Sequence, residues 1–322
     1  MHGSHLVDHI THPTLLSGNT LYVIGVISNP VRYHSRYRLY REWEKAMLAT
    51  PNVKLVTVET AFGDRQHEVT SANNPSHLQL RTQSEIWIKE NMINLGVRHL
   101  LPHDWKYVAW VDCDVFFRDP NWALETIHQL QHFSVVQPWA DCMDLGPNGN
   151  VLQHFKSFGH QHQRRVPKQK CPTDPYQYAH SGFAWACTRA FWEQVGGLMD
   201  FPILGSGDHH MAFSMIGEAK DTIHAKMHPA FFRKVYEWQG RALTATHGEV
   251  GFAHGRIEHQ FHGSKKKRYY RERWQILVDH AFNPDTDLMR DPQGLLKLIG
   301  KPKLEIAIRD YNRSRLEDSI DE

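Results

Sequence analysis

The chain has 322 residues, 41% of them hydrophobic, and 37 lysines and arginines against 35 aspartates and glutamates leave a net charge of +2. That composition excludes a disordered chain, and the balance of charge gives no global footprint for nucleic acid or a membrane surface. No apolar run reaches the roughly 18 residues of a membrane-spanning helix, and Cys113, Cys142, Cys171 and Cys187 form no CxxC pair, which speaks against a zinc ribbon.

Residues 1–19 lack the basic-then-apolar pattern of a signal peptide and are set aside as an N-terminal extension. With the thiols read as reduced, the expectation is a cytoplasmic protein of a bacterial or phage-infected cell. Thr20–Pro30, TLYVIGVISNP, is an apolar run closed by Ser, Asn and Pro and predicts a buried strand. Helical spacing predicts a helix over Tyr37–Thr50, and alternation predicts a strand over Asn52–Phe62. Arg81–Leu95 reads as a helix with Gly96 as its C-cap. WKYVAWVDCDVFF, from Trp105, reads as one strand, Asn121–Gln131 as a helix, and FSVVQPWA as a further strand. This alternation predicts an α/β, Rossmann-like fold with a mainly parallel central sheet flanked by helices.

The second half is less regular. Gly146–Tyr178 is rich in Gly, Pro, His and basic residues and reads as a long loop region. A strand and helix follow in HSGFAWACTRAFWEQVGGL, then a glycine-rich turn and helix in GSGDHHMAFSMIG. HGSKKKRYYRERWQILVDH leads into a helix, and the charge-dense end reads as a tail or terminal helix.

Asp112 and Asp114 close the apolar run YVAWV. In a parallel sheet, ligands bind beyond the carboxyl ends of the strands. Residues i and i+2 of a strand point the same way, so the two carboxylates would repel unless a cation lay between them. Mn²⁺ and Mg²⁺ favour carboxylate and phosphate oxygens. The pair therefore points to a divalent ion held against a diphosphate; the alternative is a polar loop start.

Three blocks, in order, carry a resemblance. They are KENMINLG followed by YVAWVDCDVFFRDPNW, then His180–Gly217 with GSGDHH at its turn, then EHQFHGSKKKRYYRERW at Glu258–Trp274. Over about Thr20–Trp274 the chain resembles nucleotide-sugar-dependent glycosyltransferases of the A fold (GT-A), galactosyltransferase-like members in particular. The resemblance implies a GT-A domain over residues 20–275. Residues 20–140 would be its nucleotide-sugar half, residues 141–275 an irregular acceptor and metal half, and residues 276–322 a C-terminal tail.

The resemblance also implies roles. Asp114 and His262 are metal ligands, and Asp112 touches the ribose or the metal through water; His259 and His254 are weaker substitutes for His262. Gly263 lets backbone approach closely beside His262. Asp208 is the general base for the acceptor hydroxyl, or else simply a helix N-cap. The family often has an acidic pair here, whereas this chain has Asp-His-His, so His209 and His210 become base, metal or acceptor contacts. Ser28, Asn29 and Arg32, in the loop after the first strand, are placed at the nucleotide. Arg81 and Lys89 face the phosphates or are surface charges, and Lys265–Arg268 neutralise the leaving nucleotide or form a solvated face. Trp185 and Trp139 offer ring faces for a sugar, or are core.

The function this implies is transfer of a sugar from a nucleoside-diphosphate sugar, UDP-linked by default, to an acceptor hydroxyl with Mn²⁺ or Mg²⁺, inverting the anomeric centre. The acceptor is a glycan or surface polysaccharide precursor. Alternatively it is a hydroxymethylated base in phage-type DNA, to which His160–Lys170 and KKKRYYRER, with Tyr269 and Tyr270, would contribute charge and stacking. The competing classes are a nucleotidyltransferase, weakened by the lack of a glycine cluster in IGVISNPVRYHSRYR, and a non-catalytic nucleotide-sugar-binding protein. Donor, sugar, acceptor and oligomeric state are not fixed by these residues.

Overall fold

The apolar run after Asn19 becomes β1 (Leu21–Ser28), an inner strand of a seven-stranded sheet. This computed structural model describes residues 20–167, 179–269 and 272–320. From β1 the chain passes through α1 (His34–Ala49), β2 (Val53–Phe62), β3 (His77–Thr82), α2 (Lys89–Leu100) and β4 (Tyr107–Val111). Next come β5 (Val115–Phe117), α3 (Trp122–Gln129), β6 (Val135–Gln137), β7 (Asp141–Leu145), β8 (Val151–Lys156) and α4 (Phe158–Gln163). They are followed by β9 (Ala184–Thr188), α5 (Arg189–Val195), α6 (Gly207–Met215), α7 (Pro229–Thr246), β10 (Gly251–Phe252) and β11 (Arg256–His259). The C-terminal part holds α8 (Arg273–Asp279), β12 (Leu288–Arg290), β13 (Leu296–Leu298) and α9 (Pro302–Ser314).

The large sheet runs β10-β6-β9-β4-β1-β2-β3. Its pairings are parallel except at β9, which runs antiparallel to both β4 and β6. The expected α/β architecture with a mainly parallel sheet is therefore present. Helix α1 covers one face, and Trp43 packs so closely on Gly25 that a Cβ there would lie 2.7 Å from its ring. Burying such a ring contributes on the order of 3 kcal/mol. No helix among the described residues is long and apolar enough to cross a membrane. Cys113 and Cys187 are free thiols; Cys171 lies outside the described residues.

Three expected elements are corrected. Arg81–Leu95 is not one helix: Arg81 and Thr82 end β3, and α2 begins only at Lys89. Gly96 is not a C-cap either. It lies inside α2, where a Cβ would come within 2.9 Å of Val58 and 3.1 Å of Ile24, so its missing side chain lets the helix seat on the sheet. The expected strand from Trp105 breaks at Asp112–Asp114, where Val115 N–H closes a turn onto the Asp112 carbonyl at 3.1 Å. Within Gly146–Tyr178, residues 151–163 form β8 and α4 rather than loop, and residues 168–178 lie outside the described residues.

The break after β4 builds a second sheet, ordered β5-β11-β7-β8. Strand β11 pairs antiparallel with β5 and parallel with β7, so His259 stands opposite Val115 on one side and Asp144 on the other. A late histidine is thereby brought beside the aspartate turn by strand register.

Candidate functional site

A cleft of about 230 Å³ opens where β1 and β4 end. Its walls include Val26–Pro30 at the end of β1 and just beyond it, Lys89 and Glu90 at the start of α2, Asp112–Asp114, Asp208 on α6, and His259 and His262. Arg36, Arg268, Arg273 and Arg315 also line it.

Asp114, His259 and His262 each turn a ligand atom inward, all within 4.8 Å of one another. His262 Nε2 lies 2.8 Å from Asp114 Oδ2, and His259 Nε2 lies 3.8 Å from the same oxygen. The two Nε2 atoms are 3.3 Å apart. Burial alone would raise the Asp114 carboxyl; His262, His259 and Arg268 outweigh it and hold the group well below the usual carboxylate range. Asp114 Oδ1 is buried and has no hydrogen-bond partner among the described residues. A buried, ionised carboxylate oxygen lacking a partner is costly, and a cation beside two imidazoles would satisfy it. These residues thus fit a divalent ion with mixed nitrogen and oxygen ligands.

Asp144, buried between β11 and β8, completes the arrangement: its carboxylate accepts from His259 Nδ1 at 2.7 Å. That bond places the proton on Nδ1 and leaves the Nε2 lone pair facing Asp114. Arg268 Nη2 lies 3.0 Å from His262 Nε2.

The two aspartates do not face one way, because the strand ends before them. Asp112 binds Lys89 Nζ, while Asp114 faces the imidazoles. Asp112 therefore stands outside the three-residue cluster. Burial would lower the Lys89 ammonium, but Asp112 prevails and holds it above its ordinary range.

Asp208 lies in the first turn of α6, after Ser206 at the N-cap position, so it is not itself the cap. Its Oδ2 is seated over Gly182, where a Cβ would be only 2.6 Å away. His180, beside Gly182, stacks on Phe183 with centroids 3.8 Å apart and accepts the Gly182 N–H at Nδ1 over 3.1 Å.

The other predicted residues divide. Ser28 and Asn29 line the cleft; the Ser28 carbonyl accepts from Arg36, and the Asn29 side chain bonds the backbone of Tyr33 in both directions at 2.9 Å. Arg32 points away and pairs with Glu68 at 2.9 Å. Arg81 lies on edge strand β3, bonding the carbonyls of Gly63 and Arg65, and is not on the cleft wall. Trp185 is a core residue, 2% exposed, donating to the Ser181 carbonyl at 2.7 Å, and Trp139 is fully buried. Neither presents a face to the cleft. His209 Nδ1 lies 3.5 Å from Ser181 Oγ, and burial pushes its imidazole down to about 4. His210 is buried against Trp274 and Thr222, with its imidazole pushed down to about 3 by burial. His254 packs on Phe252. Lys265 lies in a 3-10 turn over Lys265–Arg268; its side chain and Tyr270 lie outside the described residues.

His262 and His259, the expected ligand and one of its substitutes, both stand in the cluster, at the H-x-x-H spacing visible in EHQFHG. Asp144, Arg36, Arg273, Arg315 and Glu317 carry no local motif, and only the tertiary fold brings them in.

No known family model and no curated protein matches the chain. Among solved structures, the catalytic domain of Drosophila β1,4-galactosyltransferase 7, complexed with xylobiose, aligns at 12% identity and a TM-score of 0.40, covering 90% of this chain and 98% of that one. A Pyrobaculum calidifontis mannosyltransferase in complex with GDP-Man and Mn²⁺ aligns at 14% identity and 0.42, covering 92% and 71%. A putative nucleotide-diphospho-sugar transferase from Desulfovibrio desulfuricans aligns at 10% identity and 0.32, covering 90% and 97%. At TM-scores below 0.5 these likenesses do not carry a function to the present chain.

Proposed function

We propose that this chain is a metal-dependent glycosyltransferase of the A fold, moving a sugar from a nucleoside-diphosphate sugar to an acceptor hydroxyl. The observation that carries the reading is the convergence of Asp114, His259 and His262 in a cleft at the ends of β1 and β4, with Asp208 on its α6 wall. Two imidazoles and a carboxylate suit Mn²⁺ better than Mg²⁺, which seeks oxygen ligands. When bound, the ion supplies Lewis-acid stabilisation of the departing diphosphate.

Within residues 20–140, the Val26–Pro30 wall offers a place for the nucleoside, UDP by default. Lys89, together with Arg268 and Arg273, supplies positive charge for the phosphates. Within residues 141–275, Asp208 accepts the proton of the acceptor hydroxyl as that oxygen bonds to the anomeric carbon and the bond to the diphosphate oxygen breaks. A single displacement of this kind inverts the centre.

A glycan hydroxyl is the acceptor favoured here. Of the basic segment His160–Lys170, Arg165 is already paired with Glu249 at 2.8 Å, and His162 lies 2.9 Å from the Gly248 carbonyl, which weakens a phosphate-binding stripe.

The test is release of nucleoside diphosphate from UDP-, GDP- and dTDP-sugars with Mn²⁺, with and without chelator. Release from one donor that chelator abolishes is expected. Pyrophosphate release from a nucleoside triphosphate and a sugar phosphate would favour a nucleotidyltransferase instead. Binding without any turnover would favour a non-catalytic protein.

A further inference from the structure

The C-terminal segment beyond α9 does not trail from the fold. Asp318 accepts the His34 and Ser35 N–H groups at 2.8 Å each, at the first turn of α1. Tyr33 donates to the Asn312 carbonyl at 2.9 Å, and Asn312 and Arg315 form part of the cleft wall. Between them Glu317, its side chain 1% exposed, is gripped by Arg36 Nε at 2.5 Å, Arg36 Nη2 at 2.7 Å and Arg315 Nη2 at 2.7 Å. Paired with two guanidinium groups at these distances, it is a buried anion.

This anion faces the metal cluster. Glu317 Oε2 lies 3.7 Å from His262 Nδ1, while Nε2 of the same ring faces Asp114. At that distance the contact is electrostatic rather than a hydrogen bond; it favours the proton on Nδ1 and leaves Nε2 as the lone-pair donor. The next residue, Gly263, has φ of +84°, and a Cβ on it would lie 2.8 Å from Glu317 Cα and 3.0 Å from the Leu316 carbonyl oxygen. The His262–Gly263 turn is therefore shaped to receive this segment. Each imidazole of the cluster has its own carboxylate behind it, Asp144 for His259 and Glu317 for His262.

We infer that Glu317 is a positioning residue for His262, which makes the C-terminal segment 312–318 a working part of the metal site. The inference rests on the assignment of Asp114, His259 and His262 as ligands. If metal binding and docking of the segment are linked, each must favour the other.

The test is Mn²⁺ binding to the full chain, read from the electron paramagnetic resonance signal of free Mn²⁺, for wild type, Glu317→Gln and Glu317→Asp. Glu317→Gln is expected to weaken binding about 10–100-fold, and Glu317→Asp, which keeps the charge, to recover part of the loss. Hydrogen exchange of residues 312–319 in the wild type is expected to slow when Mn²⁺ is added. A folded Glu317→Gln chain with wild-type affinity overturns the inference. Should that variant fail to fold, unchanged exchange at 312–319 in wild type that does bind Mn²⁺ overturns it equally. A wild type that binds no Mn²⁺ overturns the ligand assignment, and this inference with it.

Discussion

The Asp144 carboxylate accepts a hydrogen bond from His259 Nδ1 at 2.7 Å, and the two residues are paired partners on adjacent parallel strands. Register thus fixes the tautomer of an imidazole whose other nitrogen faces Asp114. Asp144→Asn is expected to weaken Mn²⁺ binding about 10–100-fold, because it removes the negative charge behind His259 and offers Nδ1 a competing amide donor. Titration of Mn²⁺ into the purified variant checks this. An unchanged affinity would mean that Asp144 serves only the fold.

Gly182→Ala tests the seat of the proposed base. The new Cβ would lie 2.6 Å from Asp208 Oδ2, so the carboxylate has to move. A shift of about 1 Å in a reacting group costs roughly 100-fold. The turnover number should fall by about that factor while donor affinity stays near wild type. A matched loss of both would place Asp208 at the donor instead.

The Glu90 carboxyl, 5% exposed, is pushed up to about 7, first by burial and then by Asp208, with Lys89 opposing. Between about 4.5 and 7 the folded chain therefore holds a proton that the unfolded chain has lost. The stability contributed by this group falls as pH rises through that window, by a total on the order of 3 kcal/mol. Thermal melts from pH 4.5 to 7.5 should show wild type losing stability relative to Glu90→Gln. Parallel curves for the two proteins would contradict the assignment.

Trp185→Ala separates core from ligand contact. The ring is buried and its N–H is satisfied by the Ser181 carbonyl. The substitution should destabilise the chain by about 3–5 kcal/mol, seen in denaturant unfolding, with KM for the acceptor unchanged at temperatures where the variant is folded.

Much of this fold was legible in the sequence because strong apolar runs carry their own period. β1, α1, β2 and β9 stand close to where alternation and helical spacing put them. Arg81–Leu95 misled because the apolar residues Ile86 and Ile88 belong to a buried connection under the cleft, and their spacing imitates a helical stripe. The Asp112–Asp114 turn was legible as a site, but not the divergence of its two side chains, because that depends on where β4 stops. His262 was identifiable from its His-Gly context. Its partners were not, since Asp144 reaches His259 through strand register and Glu317 arrives from the far end of the chain, 55 residues after His262. Contacts of that kind have no local signature.

The central claim is that Asp114 and its histidines hold a metal ion that in turn holds a nucleoside diphosphate. Thermal stabilisation by UDP, GDP and dTDP, each with and without Mn²⁺, tests it most directly, because a ligand that binds the native state raises its stability by mass action. One diphosphate should raise the melting temperature only when Mn²⁺ is present, and Asp114→Ala should abolish the shift. Stabilisation that is indifferent to Mn²⁺, or that survives in Asp114→Ala, would contradict it.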